Sequence, residues 1–175
     1  MNYILLIFYT VFIISVLSFL SLAPWVPTRK QDLDRINNVV KLKKGEKFLE
    51  IGCGTARVSI FISKHNPESQ VIGIELSPFL YLVSKIKVSF SRLNNIEIIY
   101  GNALKIDYSK YDVLYVFGLP ETLKNKLFSK LKSEMKKGSR FVSYCFKMEN
   151  DYFIEEKHKK DKQNNIYEYK VVNNE

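Results

Sequence analysis

Residues 50–57 read Glu50-Ile51-Gly52-Cys53-Gly54-Thr55-Ala56-Arg57. The run Lys47–Ile51 (KFLEI) before it has the short, apolar character of a buried strand. Thr55 to His65 behind it has helical spacing, with Val58 and Phe61-Ile62 on one face. A strand, a glycine turn and a helix in that order present free helix N–H groups to an anionic ligand, and glycines let that ligand approach the backbone. The next apolar run, Gln70–Glu75 (QVIGIE), ends on an acid 21 residues after Gly54. That spacing suits a carboxylate accepting hydrogen bonds from ribose hydroxyls. The unit therefore predicts a nucleoside cofactor on a Rossmann-like sheet.

Moving outward, the alternation continues. Pro78 to Leu93 is a predicted helix with Phe79, Val83, Ile86, Phe90 and Leu93 at three- and four-residue spacing, read as its inward stripe. Ile96–Tyr100 and Tyr111–Phe117 are strand candidates. Glu121 to Met135 is a helix with Leu123, Leu127, Leu131 and Met135 in register, read as core packing, and Gly138 stops it. Arg140–Phe146 is a fifth strand. Tyr152–Glu156 and Ile166–Val172 are β-rich runs joined by the polar stretch Lys157 to Asn165, which predicts a hairpin. The fold class is α/β: a Rossmann-like, mostly parallel sheet covered by helices, with a C-terminal antiparallel hairpin.

The chain has 175 residues, 46% hydrophobic and 26% charged, which excludes collagen-like, disulfide-stapled and mainly disordered classes. Two cysteines give no disulfide framework. All charge lies after residue 28, where the net value is +9. Tyr3 to Ala23 (YILLIFYTVFIISVLSFLSLA) is about 21 residues and spans about 30 Å as a helix, the thickness of a bilayer core. This predicts a retained transmembrane anchor. A signal peptide would cut after Ser21-Leu22-Ala23, but Pro24 follows the cut and no basic residue precedes the run. A buried core helix is usually shorter and one-sided. Arg29, Lys30 and Arg35 follow the span and none precedes it, which predicts a cytoplasmic domain, with Trp25 at the interface. Pro24 and Pro27 turn the chain, and Gln31 to Lys44 reads as a helix with Leu33, Ile36 and Val40 inward, stopped by Gly45. The expected organisation is an anchor and junction at 1–28 and a catalytic domain at 29–175.

The dinucleotide pattern G-x-G-x-x-G would need glycine at Arg57, and only about 30 residues follow the fifth strand, too few for a second nucleotide-binding half. Glu-x-Gly-x-Gly closing strand one instead resembles the class I S-adenosylmethionine-dependent methyltransferases. The likeness covers roughly residues 30–172. It implies S-adenosylmethionine as cofactor, held by Glu50, Gly52, Cys53, Gly54, Thr55, Ala56, Glu75 and Leu76. It further implies Asn102-Ala103 at the adenine and Phe117-Gly118 after strand four. Ala56 stands where a third glycine is usual, and Asn102 where aspartate is usual.

Pro24-Trp25-Val26-Pro27-Thr28, Arg57, Glu75-Leu76-Ser77-Pro78-Phe79-Leu80 and Arg140-Phe141-Val142-Ser143-Tyr144-Cys145-Phe146 resemble the small membrane-anchored lysine methyltransferases, whose best-known members modify the c-subunit of ATP synthase. This implies a membrane-protein lysine as acceptor, with Thr28 and Glu121 as candidate catalytic residues. Glu121 equally suits a helix N-terminus. The alternative acceptor is a lipid, quinone or other small membrane-associated molecule. Nucleic acid is disfavoured, because the segment Phe117-Gly118-Leu119-Pro120-Glu121 lacks the Asn/Asp-Pro-Pro-aromatic motif of base methylation. Cys53 reads as a small loop residue and Cys145 as core. His65 and His158 have no partner at ligand spacing, so no metal is expected.

Overall fold

The computed structural model describes residues 3–19, 26–149 and 151–171. Five parallel strands, β1 (Lys47–Ile51), β2 (Gln70–Glu75), β3 (Ile96–Tyr100), β4 (Val113–Val116) and β5 (Arg140–Tyr144), form most of one sheet. A hairpin of β6 (Phe153–His158) and β7 (Ile166–Val171) completes it, with β7 antiparallel to β5. The order is β3-β2-β1-β4-β5-β7-β6, so the strand sequence reverses between β1 and β4. Val172, the expected end of the last strand, lies outside the described residues.

β1 and β4 are buried on both faces, which explains their apolar character; β1 departs from it only at the exposed Lys47 and at the buried Glu50. Phe48, Val113 and Tyr115 face α2 (Leu33–Val40) and α3 (Arg57–His65), packing with Ile36, Val40, Val58 and Ile62. Leu49, Ile51, Leu114 and Val116 face the other way, onto the leucine stripe 123–131 and Tyr169. After the short α5 (Pro120–Thr122), that stripe sits on a π-helical stretch (Leu123–Leu127) and on α6 (Phe128–Glu134). The expected helix from Gln31 is shorter: a 3-10 turn at Lys30–Asp32 precedes α2, and Lys41 ends α2 in the left-handed region.

Asp32 is fully buried. It accepts from Tyr144 Oη at 2.7 Å and Arg35 Nη1 at 3.0 Å. Arg35 also donates to the carbonyls of Asn164 and His158, tying α2 to the hairpin.

Two expectations need correction. The helix α1 (Tyr3–Phe19) is 17 residues, about 25 Å, and its described side chains are exposed. Among the described residues no helix is long and apolar enough to cross a membrane. The described helix is shorter than the roughly 20 residues that a span needs. The expected transmembrane helix is therefore absent from the described fold, and the expected single-pass membrane location with a cytoplasmic domain falls with it. Leu20 to Trp25, with the expected span end at Ala23 and the interfacial Trp25, lie outside the described residues.

The second correction concerns α4 (Pro78–Ser91), whose start is capped by Ser77. Phe79, Ile86 and Phe90, expected inward, are exposed, and the buried residue is Ser84. Tyr81 and Val88 face inward instead, against Cys53, Ala56 and Ile98.

Candidate active site

The carboxyl ends of β1, β2, β3 and β4 open into one cleft, at the switch point where the strand order reverses. Its floor is the turn after β1. Gly52 and Gly54 have φ of +71° and +55°, a region that glycine enters without strain. Ala56 shares that conformation at φ +57° and is fully buried at the start of α3. The turn packs tightly on β2: a Cβ at Gly73 would lie 2.8 Å from Ile98 and 3.0 Å from Cys53. In the sequence Gly73 carries no such signal and looks only like a weak point in a strand.

Two buried carboxylates organise the turn. Glu75 Oε2 accepts from Gly54 N at 2.7 Å, and Oε1 accepts from Ser77 N at 2.8 Å. Each oxygen keeps a lone pair for a further donor, which fits a ribose with two neighbouring hydroxyls. Glu50 Oε2 accepts from Ser59 N at 2.8 Å and from Ser59 Oγ. Glu50 thus takes up a free N–H in the first turn of α3, a cap supplied from a strand. Burial pushes its pKa up to about 8 against the opposing Ser59 bonds, with the Glu75 charge adding to the rise. Burial likewise raises the Cys53 thiol, aided by Glu50 and Glu75, so it stays protonated.

The sequence-predicted residues Glu50, Gly52, Cys53, Gly54, Thr55, Glu75, Leu76, Asn102, Ala103, Phe117 and Thr28 all line the cleft. Ala56 and Gly118 lie behind it, buried. Asn102 Oδ1 accepts from Leu104 N at 2.9 Å, capping a 3-10 turn while keeping one lone pair. Glu121 is exposed on α5 and does not line the cleft.

Val26, Pro27 and Thr28 form one wall, although the sequence reading assigns them to a junction. Arg57 Nη1 holds this wall by donating to the Thr28 carbonyl at 2.7 Å. Thr28 Oγ1 stands 3.5 Å from Tyr115 Oη. Leu80, Gly101, Leu104 and Lys126 also line the cleft and were not anticipated. Gly101 and Leu104 flank Asn102-Ala103, so a wider window would have found them. Lys126 carries no local signal, being brought in by the π-helical stretch.

Among the described residues, Glu156, His158 and Glu168 gather potential metal-ligand atoms within 4.8 Å of one another. Lys170 Nζ lies 3.3 Å from Glu156 and 3.2 Å from Glu168, so an ammonium already occupies that charge.

The ANTKMT methyltransferase domain model matches residues 50–152, more than half of the chain. The chain belongs to this family. The matched region is a methyltransferase domain, and the glycine turn with Glu75 fits S-adenosylmethionine as its cofactor. Two curated relatives are similar over about three-fifths of the chain. A probable ribosomal RNA small subunit methyltransferase A of Methanosarcina acetivorans is 33% identical over 115 residues, 65% of this chain and 41% of that one. A demethylmenaquinone methyltransferase of Listeria monocytogenes serotype 4a is 33% identical over 109 residues, 60% of this chain and 43% of that one. The chain thus spans about two-fifths of the length of these relatives. Among solved structures, an RNA methyltransferase from Salinibacter ruber in complex with S-adenosyl-L-homocysteine shares the fold, with a TM-score of 0.78 and 20% identity. That match covers 86% of this chain and 96% of the other.

Proposed function

We propose that this methyltransferase acts on the side-chain amine of a protein lysine. The observation that carries the reading is the lining of the cleft beside the glycine turn. Val26, Pro27 and Phe117 make it apolar, and Lys126 adds a positive charge. A lysine acceptor must arrive neutral, which at pH 7.4 costs about 4 kcal/mol from an unperturbed pKa near 10.4. Apolar surroundings and a nearby ammonium both disfavour a second cation and so lower that cost.

On this reading S-adenosylmethionine, when bound, supplies an activated methyl group, and the chain supplies position. Glu75 would take the ribose hydroxyls, and Asn102 and Ala103 the adenine edge. Gly52 to Thr55 would hold the methionine end. The Thr28 hydroxyl would accept an N–H of the acceptor amine and aim its lone pair. Glu121 takes no part. The absence of an Asn/Asp-Pro-Pro-aromatic segment after β4 weighs against gripping a planar base amine.

The same apolar wall suits a quinone ring, and the likeness to demethylmenaquinone methyltransferase favours that second reading. Incubating the full-length protein with labelled S-adenosylmethionine and cell extract separates the two. Label recovered as N-methyl-lysine after protein hydrolysis is the expected result. Label confined to the lipid or RNA fraction overturns the proposal.

A further inference from the structure

α4 wears its large apolar side chains on the outside. Phe79, Leu82, Ile86 and Phe90 are each at least half exposed, and Phe90 reaches 81%. At about 100° per residue, these four positions fall within an arc of about 80°, opposite Ser84 and Val88, and run about 17 Å along the helix. Lys85 and Lys87 are exposed and stand about 100° to either side of the stripe. Tyr100, 54% exposed at the end of the sheet-edge strand β3, lies beside α4 with its ring 5.5 Å from that of Tyr81. A contiguous apolar surface of this kind, rimmed by charge, marks an interaction site.

Charge selects the occupant. Two copies packing α4 against α4 about a two-fold axis would set Lys85 and Lys87 against the same lysines of the partner, which repels. A nucleic acid would meet the lysines but leave the phenyl rings in water. A bilayer surface with anionic headgroups satisfies both: the stripe enters the acyl boundary while the lysine stems lie along it and their heads reach phosphate. The net charge of +9 adds a long-range attraction of the same sign.

We propose that α4 is an interfacial helix, adsorbing an anionic lipid surface through Phe79, Leu82, Ile86 and Phe90, with Lys85 and Lys87 at the headgroups. The contact is one face of a 14-residue helix lying in the interface plane, not a span, and it asks nothing of α1. Leu80 at the start of α4 lines the cleft, so adsorption would hold the cofactor end of the site within a turn or two of the lipid. The inference is independent of the acceptor's identity.

The test uses the full-length protein with Cys145→Ser, labelled with an environment-sensitive fluorophore at Ile86→Cys on α4 or, as a control, at Lys64→Cys on the exposed side of α3. Each is mixed with phosphatidylcholine vesicles with or without phosphatidylglycerol. The label at 86 is expected to brighten and shift to the blue with anionic vesicles and far less with neutral ones, while the label at 64 stays water-like. Adding Lys85→Gln and Lys87→Gln should weaken the response at 86 by about tenfold or more. A label at 86 that remains water-like overturns the proposal, whether the protein binds vesicles elsewhere or not at all. A label at 86 already in apolar surroundings without vesicles also overturns it, because a protein segment or a second copy then covers the stripe.

Discussion

The guanidinium of Arg57 donates to the carbonyl oxygen of Thr28 at 2.7 Å, joining the first residue of α3 to a chain segment 29 residues earlier. The glycine turn after β1 and the wall across from it are therefore clamped together. A hydrogen bond from a charged donor contributes about 1.5–3 kcal/mol, roughly ten- to a hundredfold in an equilibrium or rate. Arg57→Met should lower kcat/KM for the acceptor by about tenfold or more, with Arg57→Lys between the two. Chains starting at Val26 should retain cofactor affinity, and chains starting at Arg29 should lose part of it. Steady-state kinetics and calorimetry check both; equal affinity in the two truncations would remove the wall from the site.

In the proposed reading Glu75 accepts from the cofactor ribose. Glu75→Ala removes any ribose hydrogen bonds and also strands Gly54 N and Ser77 N, which now donate to it. S-adenosylmethionine affinity should fall by at least tenfold, since each charged hydrogen bond contributes about 1.5–3 kcal/mol. Isothermal titration measures this directly, and unchanged affinity would refute the ribose assignment.

Glu50 sets a pH dependence. Its carboxyl ionises near 4.5 when unfolded and near about 8 when folded, because burial disfavours the charged form. Between those values the native chain keeps a proton that the unfolded chain has lost. Stability should thus fall as pH rises from about 4.5 to about 8, by an amount on the order of a few kcal/mol, and level off above. Glu50→Gln keeps the acceptor for Ser59 N and should flatten that slope. Urea denaturation at a series of pH values is the measurement; an undiminished slope in the variant would assign the effect to other groups.

Tyr144→Phe should destabilise the fold by about 1–3 kcal/mol, because Asp32 is fully buried and loses the hydroxyl that donates to it at 2.7 Å. Asn164 Nδ2, which donates to the same hydroxyl at 2.9 Å, loses its acceptor too. Thermal denaturation checks the loss, and a wild-type midpoint would mean that Arg35 alone satisfies Asp32.

What local spacing could determine, it determined. The order of strands and helices, the closing hairpin, the leucine stripe 123–131 and the glycine turn facing Glu75 all rest on interactions within one or two elements. Alternation and turn chemistry encode these directly. Tertiary structure decided whatever depends on a second, distant surface. The period of α4 was legible, but its phase was not: the edge of the sheet accepts Ser84, Tyr81 and Val88, and leaves the phenyl rings outside. The role of Glu50 as a cap needed the position of Ser59, and the place of Val26 to Thr28 in the cleft needed Arg57 and Tyr115. Periodicity states which residues share a face; only packing states what that face meets.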